Sequence, residues 1–274
     1  MIGQRELLKK IEGQIERDRF PRFSIFIGDS GSGKKTLVQE ISNMLGIVSV
    51  IVGTNVDLIR DCIDNAYKLN EPLIYVISDC DNMSSAAANA LLKVTEEPPH
   101  NAYFILTCES LDNLLQTIRS RGVTYMLEPY TYDDKCDYLD TKKNRPSEEE
   151  VEFILDVASN LGEIEELCNL NITEFEDYVK LVIDNIAEVS DSNAFKIGDK
   201  IALKDDNGKY NLSLFWKAFR AICVIRMNNN TDDTLRYARA IAITGDYLQQ
   251  LRIRGINKQM LFDNWLIAIR EEWV

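Results

Sequence analysis

The stretch FSIFIGDSGSGKKTLVQEISNML, residues 23–45, decides how the rest of the chain is read. Five mostly apolar residues run into a glycine- and serine-rich turn, and apolar positions at helical spacing follow. The turn fits G-x-x-x-x-G-K-[ST] from Gly28 to Lys34 but ends on Lys35 where a hydroxyl is expected. In such a loop the backbone N–H groups wrap phosphate oxygens, the lysine reaches the outer phosphates, and the next helix offers its positive end. Strand, loop and helix stand here in the required order; the alternative is a Gly/Ser turn that binds nothing. The candidate nucleotide-binding residues are Gly28, Asp29, Ser30, Gly31, Ser32, Gly33, Lys34, Lys35 and Thr36. Lys35 cannot supply the hydroxyl that ligates magnesium in these loops. Thr36 is one residue on, turned by about 100° around the helix. An ammonium at Lys35 partly neutralises phosphate, which favours holding a nucleotide over splitting it.

Outward from this stretch, short apolar runs alternate with helical segments. Residues 23–27, 48–52, 73–77, 103–107 and 123–127 read as strands, and 34–44, 56–67, 84–97 and 112–120 as helices. Pro98 and Pro99 stop the third of these helices. The alternation predicts a parallel five-stranded sheet covered on both faces, within residues 1–129. Beyond it helices take over. Ser147 and Glu150 form a capping box ahead of an apolar-periodic segment, and Gly162 is read as a break before a short helix at 164–168. Further helices are expected near 174–186, 212–227, 232–252 and 258–272. Polar linkers are expected at 140–149 and 204–210. The working division is an α/β P-loop core at 1–129, a small helical lid at 130–171 and an all-α C-terminal domain at 172–274.

The composition narrows the function. The chain has 274 residues, 45% of them hydrophobic, enough for a substantial core. No apolar run is long enough to span a bilayer, and the N-terminus has no signal-peptide character, so a cytoplasmic protein without a membrane partner is expected. The six cysteines are scattered singly with one histidine, which argues against zinc or any other metal cluster and against a disulfide framework. A net charge of −13 disfavours unaided binding to nucleic acid but allows DNA contact inside an assembly.

A second chemical position lies at the end of the third strand, in LIYVISDCDNM. P-loop ATPases place there an acidic residue that organises magnesium and, in one large class, a glutamate that polarises water. Here Ser78, Asp79, Cys80 and Asp81 occupy the segment. Asp79 can take one of those tasks; alternatively Asp79 and Asp81 simply cap a turn.

Together these motifs resemble the clamp-loader branch of the AAA+ ATPases, and most of all its bacterial DNA polymerase III delta-prime subunits. IGQ at residues 2–4 is similar to the family's opening element, and NVDLIRDCIDNAY from Asn55 to its V-D-x-I-R segment. DNMSSAAANALLKVTEEPP, residues 81–99, nearly matches the signature A-D-x-M-x-x-x-A-x-N-A-L-L-K-x-x-E-E-P-P. FILTCES resembles the sensor 1 strand, with Thr107 as its polar residue. LLQTIRSRG resembles the S-R-C motif, keeping Ser120 and Arg121 but with Gly122 for the cysteine. The detail of the resemblance covers residues 1–129; beyond them it rests on the order of helices.

The resemblance implies an AAA+ fold with a lid and an oligomerising collar, ATP or ADP with magnesium as cofactor, and no zinc, because the cysteine module often inserted after the first loop helix is missing. It implies other clamp-loader subunits, a sliding clamp and primer-template DNA as partners, with helix starts near residues 82–86 and 113 facing DNA phosphates. Arg121 would be an arginine finger acting on a neighbouring subunit's nucleotide. The Walker B acids correspond to Ser78 and Asp79, the Walker A hydroxyl to Lys35, and the sensor 2 arginine to Glu165, all altered. The expectation is a delta-prime-like subunit that does not hydrolyse ATP itself; the short chain would suit a phage-encoded or reduced version. An active ATPase using Thr36 and Asp79, and an AAA+ scaffold outside replication, stay open as alternatives.

Overall fold

The computed structural model describes residues 1–186, 200–203, 208–229, 233–253 and 255–273, and divides into two compact units. The first comprises Met1–Tyr138 with Asn160–Gly162, the second Leu139–Ser159 with Glu163–Val274.

The first unit is built on a five-stranded parallel sheet: β1 (Phe23–Ile27), β2 (Ser49–Val52), β3 (Leu73–Ile77), β4 (Ala102–Cys108) and β5 (Val123–Met126), in the order β2-β3-β4-β1-β5. β1 therefore runs centrally between β4 and β5, with Phe26 opposite Thr107 on one side and Tyr125 on the other. The period of two divides its side chains. Phe23, Ile25 and Ile27 join one apolar layer with α3 (Val56–Ala66) and α4 (Ser85–Glu96); Phe26 joins the other with α1 (Arg5–Glu16) and α2 (Lys34–Leu45). Burial on both faces explains the near-continuous apolar runs of the inner strands β1, β3 and β4. On the second face the Phe26 and Tyr125 rings stack at 5.0 Å, and Tyr125 donates to Gln14 at 2.6 Å.

The N-terminal IGQ closes this unit. Gln4 is buried, donates to the Glu128 carbonyl at 2.6 Å and accepts from its N–H at 2.9 Å, so the chain start is sutured to the end of β5. Gly3 has φ +66°, and a Cβ there would stand 2.8 Å from the Tyr130 ring, so only glycine fits.

Three local readings need correction. The single helix expected over 112–120 is a 3-10 turn at Leu111–Asn113 followed by α5 (Gln116–Arg119). Leu114 turns extended, with ψ 145°, and sinks into the apolar layer, which breaks the helix. Gly162 does not interrupt a helix; it lies in the first turn of α8 (Leu161–Cys168). Two helices went unread, α1 and α6 (Tyr132–Asp140).

The second unit contains α7 (Glu148–Val157), α9 (Ile172–Asn185), α10 (Leu212–Asn229), α11 (Thr234–Gln250) and α12 (Lys258–Trp273), together with the rest of α8. The capping box is present: Ser147 caps Glu150 N–H while the Glu150 carboxylate reaches back to Ser147 N–H at 2.9 Å. Trp216 and Trp265 are fully buried among Phe215, Phe219 and Phe262. The Trp265 indole N–H finds Thr244 Oγ1 at 3.0 Å, which satisfies the one polar atom that its burial would strand. The expected linker at 140–149 contains the irregular stretch 141–147; residues 204–207 of the other lie outside the described residues.

Candidate functional site

The carboxyl ends of β1, β3 and β4 place three loops side by side, the position where open parallel sheets bind ligands. The loop after β1 carries Gly28 to Gly33 into α2. Gly31 and Gly33 sit at φ +77° and +88°, a left-handed geometry that turns successive N–H groups inward. The carbonyls point the other way and are taken. Ser30 O accepts from Asn160 Nδ2 at 3.0 Å, Gly31 O from Gly162 N–H at 3.1 Å, and Ser32 O from the Tyr130 hydroxyl at 2.9 Å. Gly31 and Gly162 meet so closely that a Cβ on Gly162 would lie 2.5 Å from Gly31 Cα. The N–H groups of Ser30, Gly31, Gly33, Lys34 and Lys35 have no acceptor among the described residues. The loop is thus a cup of donors.

Lys34 is buried and folded onto its own loop, donating to the carbonyls of Gly28 at 2.5 Å and Asp29 at 2.9 Å. Burial lowers its pKa, while the carboxylates of Glu109, Asp79 and Asp81 act in the opposite direction. Those acids come from the loops after β4 and β3. Asp81 accepts from the N–H groups of Glu109 at 2.8 Å and Ser110 at 3.1 Å, tying the two loops together. Asp79 is in the left-handed region at φ 57°, and its N–H donates to Thr107 Oγ1 at 3.2 Å. Lys34, Asp79 and Thr107, from three separate strand ends, are therefore brought to one place. Glu109 was not singled out from the sequence; its place directly after Cys108 at the end of β4 is the signal that could have found it.

Ser78, directly after β3, is buried with its hydroxyl unpartnered, and so is Ser32 in the loop. Lys35 and Thr36 open α2 and are exposed. The donor set fits phosphate: inward amides, a lysine and two orphaned hydroxyls. It does not fit magnesium as other P-loops hold it, since Lys35 replaces the hydroxyl ligand and Ser78 the aspartate. Among the described residues no group of three or more His, Cys, Asp or Glu could hold a metal ion, and the cysteines are free thiols.

Within the first unit, Arg121 stands apart from this cup, just before the start of β5. Arg121 follows α5, donates from Nη1 to Thr117 O at 3.0 Å and pairs through Nη2 with Glu96 at 2.8 Å. Its neighbour Ser120 is exposed and turns its hydroxyl to Thr117 O at 3.2 Å. Glu165 belongs to the second unit, where its carboxylate is held by Lys142. At the proposed DNA-facing helix starts, α4 is capped by Ser84 at 3.2 Å, but only a three-residue 3-10 turn begins near 113.

The comparisons with known proteins follow the same lines. A family model described as "DNA polymerase III, delta subunit" matches residues 49–131. The chain is 27% identical over 205 residues to DNA polymerase III subunit gamma of Buchnera aphidicola subsp. Schizaphis graminum, covering 62% of this chain and 56% of the relative. Subunit delta' of Haemophilus influenzae is 34% identical over 111 residues, 39% of this chain and 33% of that one. The chain thus spans a third to little more than half the length of these curated relatives. The crystal structure of a DNA polymerase III gamma subunit-related protein from Thermotoga maritima superposes over 97% of this chain and 99% of its own, with TM-score 0.53 and 18% identity. A RuvB mutant from the same organism gives TM-score 0.52 at 17% identity, over 75% and 73%. Both likenesses speak for the fold. Signature, relatives and sheet agree: over its first unit the chain is similar to the gamma and delta' subunits of DNA polymerase III.

Proposed function

We propose that the chain is a delta-prime-type subunit of a clamp loader, acting with other subunits to place a sliding clamp on primer-template DNA. It holds a nucleotide without splitting it and supplies Arg121 to a nucleotide bound by its neighbour. Residues 130–171 serve as the lid and 172–274 as the collar in this reading. The names of the gamma and delta' relatives support the setting.

One observation carries the division of labour. The groups that would act on the chain's own nucleotide are altered, with Ser78 neutral, Lys35 cationic and Glu165 occupied by Lys142, whereas Arg121 is kept and exposed, paired with Glu96 at the end of α4. An arginine presented to a neighbour stabilises charge developing on the transferred phosphoryl group. The test is reconstitution with the ATP-hydrolysing clamp-loader subunits of the same source, assayed on primed DNA. Arg121→Ala is expected to slow hydrolysis at the adjoining site by on the order of 10³-fold. The isolated chain is expected to show negligible turnover. Full hydrolysis by the variant complex would remove the finger role, and turnover by the isolated chain, lost on Lys34→Ala, would identify an active ATPase.

A further inference from the structure

We propose that the loop at Gly28–Thr36 binds the polyphosphate of a nucleotide in a magnesium-independent way, with Lys35 standing in for the ion. The inference rests on the reading that this loop holds a nucleotide, and adds how the charge is balanced.

The cup is built for an anion. Five N–H groups, of Ser30, Gly31, Gly33, Lys34 and Lys35, have no acceptor among the described residues, while every carbonyl from Gly28 to Ser32 is engaged by protein. Ser32 is more than nine-tenths buried with an unpartnered hydroxyl, and its oxygen lies only 2.5 Å from where a Cβ on Gly28 would be, so it is aimed into the loop. A buried hydroxyl without a partner carries a free-energy cost that a phosphate oxygen relieves. Ser78, equally buried and unpartnered, follows β3 at the same end of the sheet. Lys34 need only exchange the Gly28 and Asp29 carbonyls for phosphate oxygens.

The charges then decide the metal. Where a magnesium dication is held by a loop hydroxyl and a Walker B aspartate, ion and carboxylate together bring one net positive charge. Lys35 together with a neutral Ser78 brings the same single charge with no ion. Lys35 is exposed at the first turn of α2 and has no ion-pair partner among the described residues, so its ammonium is available to the phosphates. The two substitutions compensate each other. A dication added to this pair would raise the net charge and find neither of its usual protein ligands.

The experiment is calorimetric titration of the full chain with ATP, once with a chelator and once with excess magnesium, with inorganic tripolyphosphate as competitor to separate phosphate recognition from base recognition. The expected result is a dissociation constant under chelation no weaker than about twice that in magnesium. Lys35→Thr is expected to weaken metal-free binding by about tenfold. The double variant Lys35→Thr with Ser78→Asp is expected to bind about tenfold more tightly in magnesium than under chelation. Circular dichroism confirms the fold of each. Wild-type binding that is lost on chelation, or no binding in either medium, overturns the proposal. Neither result touches Arg121, whose role is read from hydrolysis by the assembled complex.

Discussion

The guanidinium of Arg121 rests 2.8 Å from the carboxylate of Glu96, with the arginine side chain 36% and the glutamate 57% exposed. Glu96 is the last residue of α4 and belongs to the EEPP end of the family signature, so the signature and the arginine motif meet at one ion pair. Exposed pairs of this kind contribute only about 0 to 1 kcal/mol. Arg121→Ala and Glu96→Ala are therefore expected to unfold in urea within about 1 kcal/mol of the parent. A larger loss would make the pair a structural clasp and would undercut any reading of Arg121→Ala kinetics as a catalytic effect.

Gly162 and Gly31 touch backbone to backbone, and a side chain on Gly162 has nowhere to go. Gly162→Ala should lower stability by about 1 to 3 kcal/mol, the usual cost of overpacking. Gly13 offers the contrast: it lies within α1 with nothing near its missing Cβ. Gly13→Ala should stabilise by about 0.5 to 1 kcal/mol through helix propensity. Opposite shifts of the melting temperature are the expected pair of results; a neutral Gly162→Ala would show that the loop yields easily.

Gln4 makes two hydrogen bonds to Glu128 from a buried position. Gln4→Ala leaves a strand-end amide and carbonyl without those partners, and a loss of about 1 to 3 kcal/mol is expected by chemical denaturation. Gln4→Glu should also destabilise, because the Nε2 donor to the Glu128 carbonyl is gone. Stability equal to the parent in both variants would mean that the N-terminal suture contributes nothing.

Burial pushes the Tyr130 hydroxyl up to about 12, and the thiols of Cys62, Cys108 and Cys223 to about 12 as well. The folded chain keeps these protons where the unfolded chain releases them, so the unfolded state binds fewer protons and stability falls as pH rises. The decline should begin near pH 9, where unfolded thiols titrate, and steepen above about 10 as tyrosine joins. Tyr130→Phe should flatten the upper part of the profile. It should also cost about 1 kcal/mol at neutral pH by removing the bond to Ser32 O. Melting temperatures measured across that range for parent and variant decide the point.

The sheet was legible because its inner strands β1, β3 and β4 are buried on both faces, and an uninterrupted apolar run such as FSIFI or LIYVI leaves little choice. The first loop was legible for a different reason, since its glycines are needed at left-handed positions. What escaped the sequence depends on tertiary contact. α1 carries Leu7 and Ile11 four residues apart, but the charged residues around them hid a helix whose apolar stripe is narrow. Leu114 prefers the core to the helix that local propensity offers. Lys34, Asp79 and Thr107 could be named as site residues one by one, yet Glu109 emerged only when β3 and β4 lay side by side. The docking of Asn160 and Gly162 on the loop, 130 residues away along the chain, had no signal in sequence spacing.

That docking changes the thermodynamic character of the loop. A flexible loop must surrender conformational freedom when a ligand arrives, at about 1 to 2 kcal/mol for each residue fixed. Here much of the freedom from Ser30 to Ser32 is given up during folding, because each carbonyl is already held by Asn160, Gly162 or Tyr130. A ligand meets a backbone set in advance, and the rearrangement its capture requires is confined to the side chain of Lys34. Asn160 thereby acts as a stiffener: softening it would shorten the residence time of whatever the loop holds while leaving its arrival rate almost unchanged.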